Sequence, residues 1–210
     1  KPYAKRKFSF PPEYVPAEQH KGFIVESFAI EGEPVDLQNR ERVQYGGTNY
    51  SVLLKEPVAS QDSLKLHVKW NYTVPMNAPR SLAIDSTSMF IAYWYPEIAV
   101  KDDIDGWDKS IYDTETEFYH DFSDYEVTLQ VPDNFVVWAS VAPEKPEEVY
   151  DQQTRERLEQ ARNSTDAVKI ITEEDFRSEA ASSTTRKYKA HNFPDFSFAL
   201  GDHFLREASM

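Results

Sequence analysis

Cysteine is absent from the 210-residue chain, which removes disulfides, thiolate catalysis and cysteine-ligated zinc without fixing the compartment. Glycine is scarce, 6 residues in all, so a glycine-rich phosphate cradle is hardly available, and no Gly-x-Ser-x-Gly nucleophile elbow occurs. No apolar run approaches the roughly 20 residues that span a bilayer, and no signal peptide is visible. Basic residues are outnumbered 23 to 36, giving a formal net charge of -13. Nucleic-acid binding needs clustered Lys and Arg, so this balance argues against such a partner. The only concentrated basic stretch, Lys1-Pro-Tyr-Ala-Lys5-Arg6-Lys7, reads as a solvated end segment.

What the chain has in quantity is aromatic surface: 12 Tyr, 13 Phe and 4 Trp. Each ring removes a large area from water, so a folded, strand-rich protein is expected despite an apolar fraction of 40%. The clearest pattern is Leu64-Lys-Leu66-His-Val68-Lys-Trp70-Asn-Tyr72-Thr-Val74, strictly alternating. Period two places the apolar set on a core and Lys65, His67, Lys69, Asn71 and Thr73 in water. Further strands are predicted at 22–30, 40–45, 49–54, 90–100, 125–131, 135–139, 168–171, 185–190 and 195–200, bounded by turn formers. Gly46-Gly47 signals a hairpin, and Val131-Pro-Asp-Asn134 a turn in which Pro presets φ. The spacing predicts a mainly β protein, an antiparallel saddle-like or sandwich sheet. One surface helix is inserted at about 147–162, with Pro146 at its first position and acids in its first turn.

Candidate chemistry is sparse. The histidines, His20, His67, His120, His191 and His203, are well separated, and none forms the i, i+4 pair of a zincin helix. His67 belongs to a polar strand face; His120-Asp121 and His203 could join a scattered site only through the fold. The segment from Lys101 to Glu126 is acidic, and Asp103-Ile-Asp105-Gly106 looks like part of a calcium loop. Lys101 at the first ligand position and Tyr112 at the twelfth exclude an EF-hand. The same region holds Phe90, Tyr93, Trp94, Tyr95, Trp107, Tyr112, Phe118, Tyr119, Phe122 and Tyr125, a row that could stack on sugars or pack a sheet. Two glycosylation sequons, at Asn71 and Asn163, matter only in a eukaryotic secretory context.

Linear order carries a resemblance. Trp94-Tyr-Pro-Glu-Ile-Ala-Val-Lys-Asp-Asp-Ile-Asp-Gly-Trp107 follows Phe90-Ile-Ala-Tyr93. Glu117 to Val137, the helix from Pro146 to Arg162, and Lys189-Ala-His-Asn-Phe-Pro-Asp-Phe-Ser-Phe-Ala199 come after it in order. This series resembles the N-terminal domain of aminopeptidase N-like zinc metallopeptidases, especially a bacterial subgroup with WYP-x-x-A-V-x-D-D-x-x-G-W. The resemblance implies a β domain at 22–205, preceded by a tail at 1–21 and followed by an end segment at 206–210. It implies a non-catalytic role: packing on, and helping cover, the active site of a downstream catalytic domain of the same polypeptide. That domain would carry zinc, the HExxH-type ligands and the peptide substrate; this chain carries no catalytic, substrate-binding or metal-binding residue by this reading. Relatives can lend a Gln or Glu to the first substrate pocket from the position of Asp85 to Phe90, but Asp85-Ser-Thr-Ser-Met-Phe90 offers no match. The compartment stays unassigned, with a periplasmic or extracytoplasmic one slightly favoured over a cytoplasmic one. The alternatives are an independent β-sandwich module binding glycan or protein through Phe90 to Tyr125, and the scaffold domain of a relative that has lost its zinc ligands.

Overall fold

The computed structural model describes residues 23–76, 82–111, 119–176 and 180–210. The protein is mainly β and antiparallel, with no closed barrel among the described residues. It forms two compact units, one reaching Thr73 and including Pro96–His120, the other comprising Val74–Tyr95 and Asp121–Met210.

In the first unit, β1 (Phe23–Ile30) is flanked by β2 (Glu33–Pro34) and β5 (Leu66–Tyr72). Along β5 the side chains alternate between half-buried and exposed, as the sequence pattern requires, and His67 sits on the exposed face. The hairpin of β3 (Val43–Gly46) and β4 (Asn49–Val52) turns at Gly47, whose φ of +61° suits glycine. A side chain there would also meet Ile111, with a Cβ only 2.6 Å from its Cγ2. Val43, Ile30 and Val35 bury against Phe28, Leu37, Val52, Leu54 and Leu66 as this unit's core.

The second unit contains a four-stranded sheet in the order β6 (Leu82–Ala83), β7 (Ser88–Ile91), β12 (Phe198–Gly201), β9 (Val136–Ala139). A long antiparallel pair joins β8 (Ser123–Pro132) to β11 (Ser183–Phe193), and a short one joins β10 (Val168–Ile171) to β13 (Arg206–Ala208). Alternation along β8 turns Leu129 and Val131 inward; β11 turns Arg186, Tyr188 and Ala190 inward. Of these, Leu129, Val131 and Tyr188 meet Ile91, Val137, Phe196, Phe198 and Leu200 in the larger core. Full burial of each such aliphatic or phenyl side chain stabilises by about 1.5–3 kcal/mol. The turn predicted at 131–134 connects β8 to β9, closed by the Phe135 N–H donating to the Pro132 carbonyl (3.1 Å).

Two elements depart from the sequence reading. The strand predicted over 90–100 ends at Ile91, because Tyr93 takes φ +52° and turns the chain out of the sheet. The single helix predicted over 147–162 is two: α1 (Pro146–Val149) and α2 (Gln152–Arg162). Tyr150 is extended, and Asp151 spends its carboxylate as the N-cap of α2, accepting from Thr154 N–H at 2.7 Å. A cap satisfies an otherwise orphaned N–H, so the aspartate stabilises the start of a new helix here. A 3₁₀ turn at Glu173–Asp175 follows β10 and is closed by a capping box of Thr172 and Asp175.

Candidate functional site

Of the five histidines, His20 lies outside the described residues. His120 Nδ1 is 3.5 Å from Glu97 in the first unit, and His191 Nδ1 is 3.1 Å from Asp124 on the exposed face of β11. His203 is the one drawn into a cluster. It follows Gly201 at the end of β12, a position where a side chain would press on Ser88 and Phe204. Its Nδ1 meets the Asp202 carboxylate, and its Nε2 lies 3.2 Å from Asp85 Oδ2. Thr87 joins both sides, its N–H donating to Asp85 (2.8 Å) and its hydroxyl to Asp202 (2.9 Å). The fully buried Ser88 on β7 brings its hydroxyl to 3.1 Å from Nε2 and 3.4 Å from Nδ1.

Serine, histidine and aspartate in contact invite comparison with an activated nucleophile. Three features separate this cluster from one. Ser88 Oγ is nearly equidistant from both ring nitrogens, so it lies broadside to the imidazole; in line with one nitrogen, it would stand far from the other. Nε2, the nitrogen that would take the serine proton, faces the Asp85 carboxylate. Ser88 itself is closed to solvent. The electrostatics agree. The hydrogen bond to Asp202, with the nearby Asp85 charge, outweighs partial desolvation and holds His203 above its ordinary pKa. Asp85 is held low chiefly by the Thr87 N–H, and Asp202 chiefly by His203. An imidazolium between two carboxylates has no lone pair for a base to use, but it is a strong tie between two turns.

The acidic segment is committed locally. Asp102 Oδ1 accepts from the N–H groups of Ile104 (2.9 Å) and Asp105 (2.7 Å), which hold its carboxyl low. Asp108 caps Ser110 in the same way (2.9 Å). Gly106 turns the loop at φ +77°, and Lys101 bridges back to Trp107 with its ammonium 5.7 Å from the ring centroid. Among the described residues no group of three or more His, Asp or Glu is placed to hold a metal ion. Residues 112–118 of this acidic stretch, Tyr112 and Phe118 included, lie outside the described residues.

The aromatic row divides. Trp94 donates its indole N–H to the Phe196 carbonyl (2.9 Å) and packs edge-on against Phe198 at 5.6 Å. The Tyr95 hydroxyl donates to Asp195 (2.8 Å) and meets the Tyr125 hydroxyl at 3.0 Å. These rings pin the chain leaving β7 onto the segment before β12, which is structural work. Trp107, Tyr119 and Phe122 are exposed. Sequence reading missed Asp85, Ser88 and Asp202 as partners of His203, and it passed over Arg186. A charged residue at an inward position of an alternating strand was the available signal for Arg186. None of the described helices is long and apolar enough to cross a membrane. Compared with protein-family models, curated proteins and solved structures, the chain gives no match.

Proposed function

We propose that this chain is a non-catalytic β region of a zinc aminopeptidase-like protein, docking on its catalytic domain and helping to cover the active site. The ordered motif series from Phe90 to Ala199 supports the reading, and one geometric observation carries it. The end of the four-stranded sheet that bears Asp85 to Ser88 presents apolar side chains on stiffened turns. Ile84 is 55% exposed and Leu205 60%. Ile84 adjoins Asp85 and Leu205 lies two residues beyond His203, so the charged tie holds both turns in place. Met76, also exposed, is bridged to Ala83 beside Ile84. Scattered exposed apolar residues are ordinary, but several on turns fixed by hydrogen bonds and ion pairs suit contact with another surface. Asp85 to Phe90 carries no match to the pocket-lining side chain of the family, so the choice of the catalytic domain as occupant rests on the motif series.

Two measurements test this. The chain alone should cleave no peptide; metal-dependent cleavage by it sinks the proposal. In the complete polypeptide, Ile84→Asp with Leu205→Asp should lower peptidase activity while leaving the melting of this region in place. A polypeptide lacking an HExxH motif after this region refutes the peptidase reading and moves the domain to a scaffold role.

A further inference from the structure

The inner face of β11 holds a charge that no carboxylate of the described residues balances. Arg186 and Tyr188, two residues apart, lie on the same buried face of β11, Tyr188 within the larger core. Arg186 is 6% exposed and Tyr188 1%. The guanidinium is anchored at one nitrogen, Nη2 donating to the Phe135 carbonyl at 2.6 Å. Its Nε and Nη1, and the Tyr188 hydroxyl, are buried with no hydrogen-bond partner among the described residues. Close by is a second cation. Tyr150 stacks on Trp138 (6.3 Å, 25°), and Arg206 lies 3.9 Å over the Trp138 ring. Burial raises the Tyr150 pKa, and the charges of Arg206 and Arg186 act against that rise. The ion pairs of the described residues all involve other cations, so neither arginine is paired with a carboxylate among the described residues.

Buried polar groups are almost always hydrogen-bonded, and a buried charge is kept only when it is paired. Burial depresses the Arg186 pKa and raises that of Tyr188 to about 12, which keeps the phenol neutral at neutral pH; a guanidinium is basic enough to stay charged in a protein interior. The unmet requirement is therefore for an acceptor carrying negative charge, small enough for the interior. A water molecule would supply the acceptor without the charge. We propose that Arg186 and Tyr188 hold a small inorganic monovalent anion of the halide class in the core of the second unit. The guanidinium N–H groups left over and the Tyr188 O–H are the donors available to it. The site is independent of the peptidase reading.

Crystals soaked in bromide, and melting in chloride against gluconate at constant ionic strength, test this. The expected result is an anomalous peak within hydrogen-bond distance of Arg186 Nε or Nη1, and a melting temperature that climbs as chloride replaces gluconate. Tyr188→Phe, which removes only the hydroxyl, should shift that climb to severalfold higher chloride. Arg186→Met should abolish it. Equal melting in the two salts, a chloride response unchanged by Tyr188→Phe, or density at Arg186 without bromide signal would each overturn the proposal. Tyr188→Phe decides the matter should Arg186→Met fail to fold.

Discussion

Asp175→Asn is the most informative single substitution in the second unit. One carboxylate oxygen, Asp175 Oδ2, gathers three donors: Arg157 Nη1 at 2.6 Å, Thr172 N–H at 2.8 Å and the Thr172 hydroxyl at 2.9 Å. Arg157 Nη1 also donates to the Ile170 carbonyl at 3.0 Å, so this oxygen joins α2, β10 and the 3₁₀ turn. The paired side chains are only 19% and 18% exposed, which limits solvent screening. Asparagine keeps the shape and loses the charge. Hydrogen bonds to a charged acceptor contribute about 1.5–3 kcal/mol, so a loss of about 2 kcal/mol is expected. For a unit of this size that is a fall of roughly 6–10 °C in melting temperature at pH 7. Burial raises the Asp175 pKa, but the Thr172 and Arg157 hydrogen bonds outweigh it and the net shift is downward. A depressed carboxylate contributes stability above its unfolded pKa, about 3.9, and loses it as pH falls through the folded value. The gap between wild type and variant should therefore close in acid. Thermal melts across pH, with a double-mutant cycle using Arg157→Met, measure both effects. Identical melting at pH 7, or a gap that persists in strong acid, refutes the reasoning.

Asp151→Ala removes the N-cap of α2 and should cost about 1 kcal/mol by denaturant titration, with Asp151→Ser recovering most of it. Phe196→Ala empties a fully buried position packed on Tyr188 and Phe198 and should cost about 3–5 kcal/mol, with altered near-ultraviolet dichroism from Trp94. The Asp85–His203–Asp202 tie should stabilise most between about pH 4 and 6.5, since a raised histidine loses its contribution as pH rises and depressed carboxylates lose theirs as pH falls. His203→Gln should flatten the alkaline side of that profile, and an unchanged profile rejects the tie.

Sequence periodicity was most informative where the determinant is local. The β5 alternation needs only its own residues and one buried face, and the turns at Gly46-Gly47 and Val131–Asn134 follow from backbone preferences. It failed where a distant partner decides. The apolar run after Phe90 reads as one strand, yet Trp94 must reach the Phe196 carbonyl, about a hundred residues away, and the backbone bends at Tyr93 to allow it. Asp85 and His203 are equally remote, so no spacing rule brings them together. The helix break at Tyr150 shows the reverse limit, two competing local uses of Asp151 that propensity cannot rank. Nothing in a chain this acidic marks which carboxylates are structural, and the candidate chemistry became legible only through contact distances.

Strand order also bears on synthesis. The strand that unites the four-stranded sheet, β12, lies between β7 and β9 but is made after both. From Ile91 to Gly201 is about 110 residues, which a ribosome adding 5–20 residues per second takes roughly 5–20 s to produce. Through that interval β7 has only the two-residue β6 beside it, and β9, once made, has no neighbour from this sheet until β12 follows. The nascent chain therefore carries open apolar strand edges for seconds, a period in which a holdase chaperone or a crowded polysome decides the yield of folded protein.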